Sequence, residues 1–214
     1  MHLKKQGFEI KFAKVDKFGQ IDINHLASLL TKDTRLVTLS YANGEYGTIQ
    51  PVIKIGQLIK AFNASRNSGI LFHTDATAAA LVLSCDVSRL GVDLLSLGGA
   101  KTYGPHGVGL LYARRNCGVL PIQFGGQQEM GLRAGTQPVF LASGLATALD
   151  LIKSSRRADS AHFKKLHDKL LNELDKSGLT YIYNGHPRDR LFNVVSLILS
   201  AQFGDDMVAK LNVA

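Results

Sequence analysis

The chain has 214 residues, 45% hydrophobic and 20% charged, the balance of a globular protein large enough to bury a core and not of a disordered one. Its formal net charge is +8, from 25 basic and 17 acidic residues, but the basic residues are scattered and no aromatics interleave them, which argues against a nucleic-acid platform. No run approaches the ~18 apolar residues of a membrane helix, no apolar core follows Lys4-Lys5 as in a signal peptide, and two distant cysteines, Cys85 and Cys117, lack any CxxC spacing, so a reducing, cytoplasmic setting is expected.

Residues 8–15 read as a strand. Residues 22–30 read as a helix opened by Asp22, with Leu26, Leu29 and Leu30 on one face. Leu36 to Ser40 follows as a strand, and residues 53–64 as a helix behind Pro51. Residues 71–73, 94–97 and 108–112 are further strands, the last after a Gly-rich turn. This alternation predicts an α/β fold with a mixed, mostly parallel sheet covered on both faces. Past Pro138 the pattern changes to two helices, 141–152 and 161–174, the second amphipathic through Phe163, Leu166, Leu170, Leu171 and Leu174. Short strands at 180–183 and 193–199 and the opening turns of a helix at 205–213 complete the chain. The basic cluster from Lys153 to Arg157, with Lys164 and Lys165, falls on helical segments and reads as a solvated face.

Two residues carry the chemistry. Asp75 ends the apolar run Leu71-Phe72-His73-Thr74-Asp75, and Lys101 stands 26 residues later in Gly98-Gly99-Ala100-Lys101-Thr102-Tyr103-Gly104-Pro105. Each follows a buried-strand pattern, so each is expected at the carboxyl edge of one parallel sheet. A Lys and an Asp delivered that way suit pyridoxal 5'-phosphate (PLP): the Lys forms a Schiff base with the aldehyde, and the Asp keeps the ring nitrogen protonated. The plainer alternative is a surface Lys in a turn and an Asp capping a helix. Cys117, in a polar turn, reads as an idle thiol.

In order and spacing, several elements together resemble the class V aminotransferase branch of the fold-type I PLP enzymes, and within it the cysteine desulfurases and selenocysteine lyases. They are Thr34-Arg35-Leu36-Val37-Thr38, Asn43-Gly44-Glu45-Tyr46-Gly47-Thr48, His73-Thr74-Asp75-Ala76-Thr77, Lys101-Thr102-Tyr103-Gly104-Pro105, Gly125-Gly126-Gln127-Gln128-Glu129 and Arg133-Ala134-Gly135-Thr136. The resemblance covers essentially the whole chain. It implies a PLP-transferase large domain over 1–140, and linking helices with part of a small α+β domain over 141–214. It further implies Lys101 as the catalytic and cofactor-bound lysine, Asp75 and Thr136 as cofactor-binding residues, L-cysteine or a similar amino acid as substrate, and a sulfur-acceptor protein as partner. In the family the Thr of the Arg-x-Gly-Thr element reaches the cofactor phosphate of the neighbouring subunit, which implies a homodimer. The alternative for Thr136 is a cap on the helix after Pro138.

The chain also departs from the family. Gly44 replaces an Asn and Ala78 a Gln, both expected near the ring oxygen. Ala100 replaces the His before the Lys, and Gly98 a phosphate-binding Ser. Each lost hydrogen bond to a charged group weakens binding by about 1.5–3 kcal/mol. The resemblance also implies that the chain begins past the family's N-terminal phosphate loop and ring-stacking His. It ends before the sulfur-accepting Cys and the carboxylate-clamping Arg, and neither Cys85 nor Cys117 matches that Cys. Two readings stay open: a desulfurase-like enzyme, impaired or inactive as this chain, or a degenerate, non-catalytic relative acting as an interaction or dimerisation partner.

Overall fold

The computed structural model describes residues 2–199. After a short helix α1 (His2–Lys5) and an extended stretch, α2 (Ile23–Leu29) begins where Asp22 accepts from the amides of Asn24 and His25. Four strands then form one sheet in the order β1 (Leu36–Ser40), β2 (Leu71–Asp75), β3 (Leu94–Gly98), β4 (Gly109–Ala113). The first three are parallel and β4 runs antiparallel to β3, so the mixed, mostly parallel α/β arrangement is present.

Period-two alternation splits the sheet into unlike faces. Val37, Phe72, Thr74, Leu95 and Leu97 are buried on one face, where α2, α3 (Val52–Arg66) and α4 (Val87–Leu90) supply Leu26, Ile55, Ile59 and Leu90 to the same core. Burying each such large side chain contributes about 1.5–3 kcal/mol. The helix α3 comes close to α4 because residue 56 is glycine: a Cβ there would stand 2.6 Å from the Leu90 carbonyl oxygen. The second face carries Leu36, Thr38, His73, Asp75, Ser96 and Leu111, none of them buried among the described residues. The expected covering of both faces is therefore found on one only.

Two other expectations change. Residues 8–15 join no ladder; Phe12 is 80% exposed, and Val15 makes one isolated bridge to Ile21. Their alternation is strand-like, but a strand requires a pairing edge, and none of the described strands offers them one. Residues 141–152 and 161–174 belong to one helix, α5 (Val139–Lys176), 38 residues long. No Gly or Pro interrupts residues 153–160; of the serines there, Ser154 Oγ donates to the Leu151 carbonyl, Ser155 Oγ to Asp159 Oδ2 and Ser160 Oγ to the distant Val82 carbonyl. Leu145, Ala148 and Ile152 form its buried stripe.

Beyond α5, β5 (Tyr181–Tyr183) pairs antiparallel with β6 (Leu197–Leu199). Between them, residues 184–194 strap onto the 43–49 turn: His186 N donates to Thr48 Oγ1, Ile49 N to the Asp189 carbonyl and Leu191 N to the Gly47 carbonyl. Arg190, 3% exposed, holds the strap without a carboxylate, giving its guanidinium to the carbonyls of Asn184, His186, Tyr46 and Val194 and stacking 3.7 Å from the Tyr183 ring centroid. The helix expected at 205–213 lies outside the described residues.

Candidate active site

Asp75 is the last residue of β2 and stands opposite Ser96 on β3. Lys101 lies five residues beyond Ser96, ending a single turn of 3-10 helix, Gly99–Lys101, that leaves the carboxyl end of β3. Adjacent parallel strands thus carry both residues to the same edge of the sheet, where α/β folds bind ligands. Asp75 Oδ1 accepts from the Thr77 amide at 2.9 Å, which fixes the carboxylate and leaves Oδ2 unpartnered among the described residues. Lys101 is exposed and enters none of the ion pairs among them.

The turn that carries Lys101 is tightly built. Thr102 is fully buried and its Oγ1 donates to the Gly99 carbonyl at 3.0 Å; the amides of Thr102 and Gly104 reach the same oxygen, each at 3.0 Å. Residue 99 has to be glycine because a Cβ would run into the Pro105 carbonyl. Gly107 takes a left-handed φ of 82°, and so, without a glycine's freedom, does Tyr103 at 55°. Pro105 in turn rests on α5, where a Cβ on Gly144 would stand 2.6 Å from its Cγ.

Two of the four departures are neighbours. A Cβ on Gly44 would meet Ala78 Cβ at 3.4 Å, so the positions reduced from Asn and Gln face each other across one shared space. A Cβ on Gly98 would come within 3.1 Å of Thr77 Cγ2. One residue pair back from the edge, a polar chain that sequence reading did not single out crosses three strands: Thr38 Oγ1 to His73 Nδ1 at 2.7 Å, and His73 Nε2 to Ser96 Oγ at 2.9 Å. Burial lowers the His73 pKa, against a smaller upward pull from Asp75. The signal available in sequence was polar residues at alternate positions, Thr38, His73, Asp75 and Ser96, in otherwise apolar runs.

Thr136 is exposed, in the loop that precedes α5, and no hydrogen bond among the described residues joins it to Asp75 or Lys101. It does not cap α5 either: the N-cap is Pro138, with no side-chain bond. Arg133 folds back on its own loop, donating to the Ala134 carbonyl, and the Gly135 amide donates to Gln128 Oε1 at 3.2 Å. Around this loop Ile122, Phe124, Met130 and Phe140 stand almost wholly in solvent. Cys85 is held by burial at a pKa of about 11, which keeps its thiol protonated. A groove of about 420 Å³, lined by Lys60, Asn63, Asp93 and Arg114 among others, lies at the opposite, amino end of β3. Among the described residues no cluster suits a metal ion, and no helix is long and apolar enough to cross a membrane.

These residues fit PLP at two points: an exposed Lys for its aldehyde, and a fixed carboxylate with a spare oxygen for its ring nitrogen. For the third point, the phosphate, the described residues of one chain bring together no set of donors.

Comparison with known proteins places this geometry. The aminotransferase class-V family matches residues 1–214. Cysteine desulfurase IscS 1 of Archaeoglobus fulgidus is 35% identical over 213 residues, covering 100% of this chain and 54% of its own length. The mitochondrial cysteine desulfurase of Saccharomyces cerevisiae is 37% identical over 211 residues, 98% of this chain and 41% of its own length. A solved NifS-like protein superposes with a TM-score of 0.86 at 33% identity, over 92% of this chain and 53% of the other. The chain spans about half the length of the curated relatives it matches.

Proposed function

The chain belongs to the class-V aminotransferase family, and we propose that it is a PLP-dependent, cysteine desulfurase-like protein whose activity is impaired or lost in the 214-residue polypeptide by itself. The observation that carries the reading is the delivery of Asp75 and Lys101 by adjacent parallel strands to one sheet edge. When bound, the cofactor supplies an electron sink beside the substrate's amino group. In this reading Lys101 anchors the cofactor and, once released, moves a proton at the substrate carbon. Asp75 keeps a proton on the ring nitrogen, and the Thr77 amide on Oδ1 holds the carboxylate in orientation for that.

By the resemblance Thr136 would serve the phosphate of another copy, so the reading includes a homodimer, and the exposed Ile122, Phe124 and Phe140 beside that loop support an interface there. L-cysteine or a close analogue is the substrate and a thiol on another protein the sulfur acceptor, a reading supported by the half-buried Cys85 thiol, which stays protonated. The reading also includes the division at 140/141 and a cytoplasmic setting, whereas two of the relatives are mitochondrial. A second reading, a non-catalytic relative serving as a dimerisation partner, is favoured by Gly44, Ala78, Gly98 and Ala100.

Titration of the purified protein with PLP tests the choice. A new absorbance band near the visible edge, with borohydride fixing the pyridoxyl group on Lys101 in a peptide map, supports the first reading. No band, or label spread over many lysines, favours the second.

A further inference from the structure

The turn after β2 places a threonine where neither its fold nor its packing accounts for the hydroxyl. Thr77 is half-buried; its amide is spent on Asp75 Oδ1 at 2.9 Å, and its Oγ1 enters no hydrogen bond among the described residues. Across the strand gap lies Gly98, the last residue of β3, from which the chain runs directly into the Lys101 turn. A Cβ on Gly98 would be 3.1 Å from Thr77 Cγ2 and 3.8 Å from Thr77 Oγ1. Gly98 itself has an ordinary extended backbone, φ −123° and ψ 137°, so nothing in its conformation calls for glycine. A side chain there would press on the Thr77 methyl, which leans into the same volume. The two positions border one space at the sheet edge, and Thr77 brings the only hydroxyl of the two to it.

We infer that Thr77 is a further cofactor-binding residue, its hydroxyl donating a hydrogen bond to the phosphate of PLP. The inference rests on the PLP reading above. The chemistry of the edge selects the phosphate: the Asp75 carboxylate provides for the ring nitrogen and Lys101 for the aldehyde, which leaves an unpartnered donor for the anionic group. A hydroxyl at residue 98 would border the same space as the one at residue 77.

Equilibrium binding, read by absorbance and by quenching of tyrosine fluorescence, tests this without turnover. Thr77→Val keeps the shape and removes the hydroxyl; PLP affinity is expected to fall about tenfold, while affinity for pyridoxal, which has no phosphate, stays within about twofold. In the double variant Thr77→Ala/Gly98→Ser the hydroxyl moves to the other wall, and PLP affinity is expected to recover. Unchanged PLP affinity in Thr77→Val overturns the assignment, as does equal loss for PLP and pyridoxal, which would place the hydroxyl on the ring. Absence of saturable PLP binding by the unsubstituted protein would instead refute the underlying PLP reading, a result distinct from either.

Discussion

Asp75 leaves β2 with one carboxylate oxygen committed to the Thr77 amide and the other unpartnered. A carboxylate fixed in this way acts on a bound ring through its charge, with little rearrangement when the charge is needed. The expected consequence is a split between binding and turnover. Asp75→Ala should keep PLP reducible onto Lys101 by borohydride while any turnover of L-cysteine falls about 10- to 100-fold, the equivalent of losing one charge-assisted hydrogen bond. Parallel loss of labelling and turnover, or no loss of either, would remove Asp75 from this role. Both Asp75 and Lys101 were legible in the sequence because their placement is local: each follows an apolar run at the point where a strand must end. Thr77 was not, since a threonine in a turn carries no pattern, and only its closeness to Gly98 gives it meaning. Thr136 stays undetermined for a different reason: its partner in the proposed role lies on another copy of the chain.

At the scale of elements, the sheet edge stays in place because α3 and α4 pack tightly behind it. Gly56 is the contact that sets their spacing, with the Leu90 carbonyl 2.6 Å from where a Cβ would be. Gly56→Ala should therefore push α3 off α4 at a cost of about 1–3 kcal/mol, lowering the melting temperature by roughly 2–12 °C for a chain of this size. Gly69→Ala, with no atom within 4 Å of its Cβ position, is the control and should leave the melting temperature nearly unchanged. Equal melting of both variants would show that the close approach is not limiting. The core strands and α2 and α3 could be read from sequence because caps and periodicity agree in them: Asp22 caps α2, and α3 buries residues 52, 55, 56 and 59. Residues 8–15 misled because alternation reports a face and not a partner. The continuity of α5 was obscured because its buried stripe breaks off between Ile152 and His167, whereas the backbone, meeting no Gly or Pro there, continues to Lys176.

For the whole molecule the question is how much catalysis one such chain sustains. Four positions that would carry polar contacts are Gly or Ala, and two of them, Gly44 and Ala78, are neighbours, so the same patch of cofactor loses two partners at once. Thr136 stands in an exposed loop, and in the proposed reading it would serve the phosphate of a second copy. The Cys85 thiol, with a pKa of about 11, is protonated at neutral pH and a poor sulfur acceptor. The 214-residue polypeptide should accordingly release little or no sulfide from L-cysteine in the presence of PLP and dithiothreitol. Robust release that vanishes in Lys101→Ala would overturn this expectation and show that residues within the chain replace the lost contacts, Thr77 first among them. Release unchanged in Lys101→Ala would be chemistry of free PLP in solution. Sulfide production that rises faster than linearly with protein concentration, and only in the unsubstituted chain, would locate the residual activity in a dimer that shares Thr136 between its two sites.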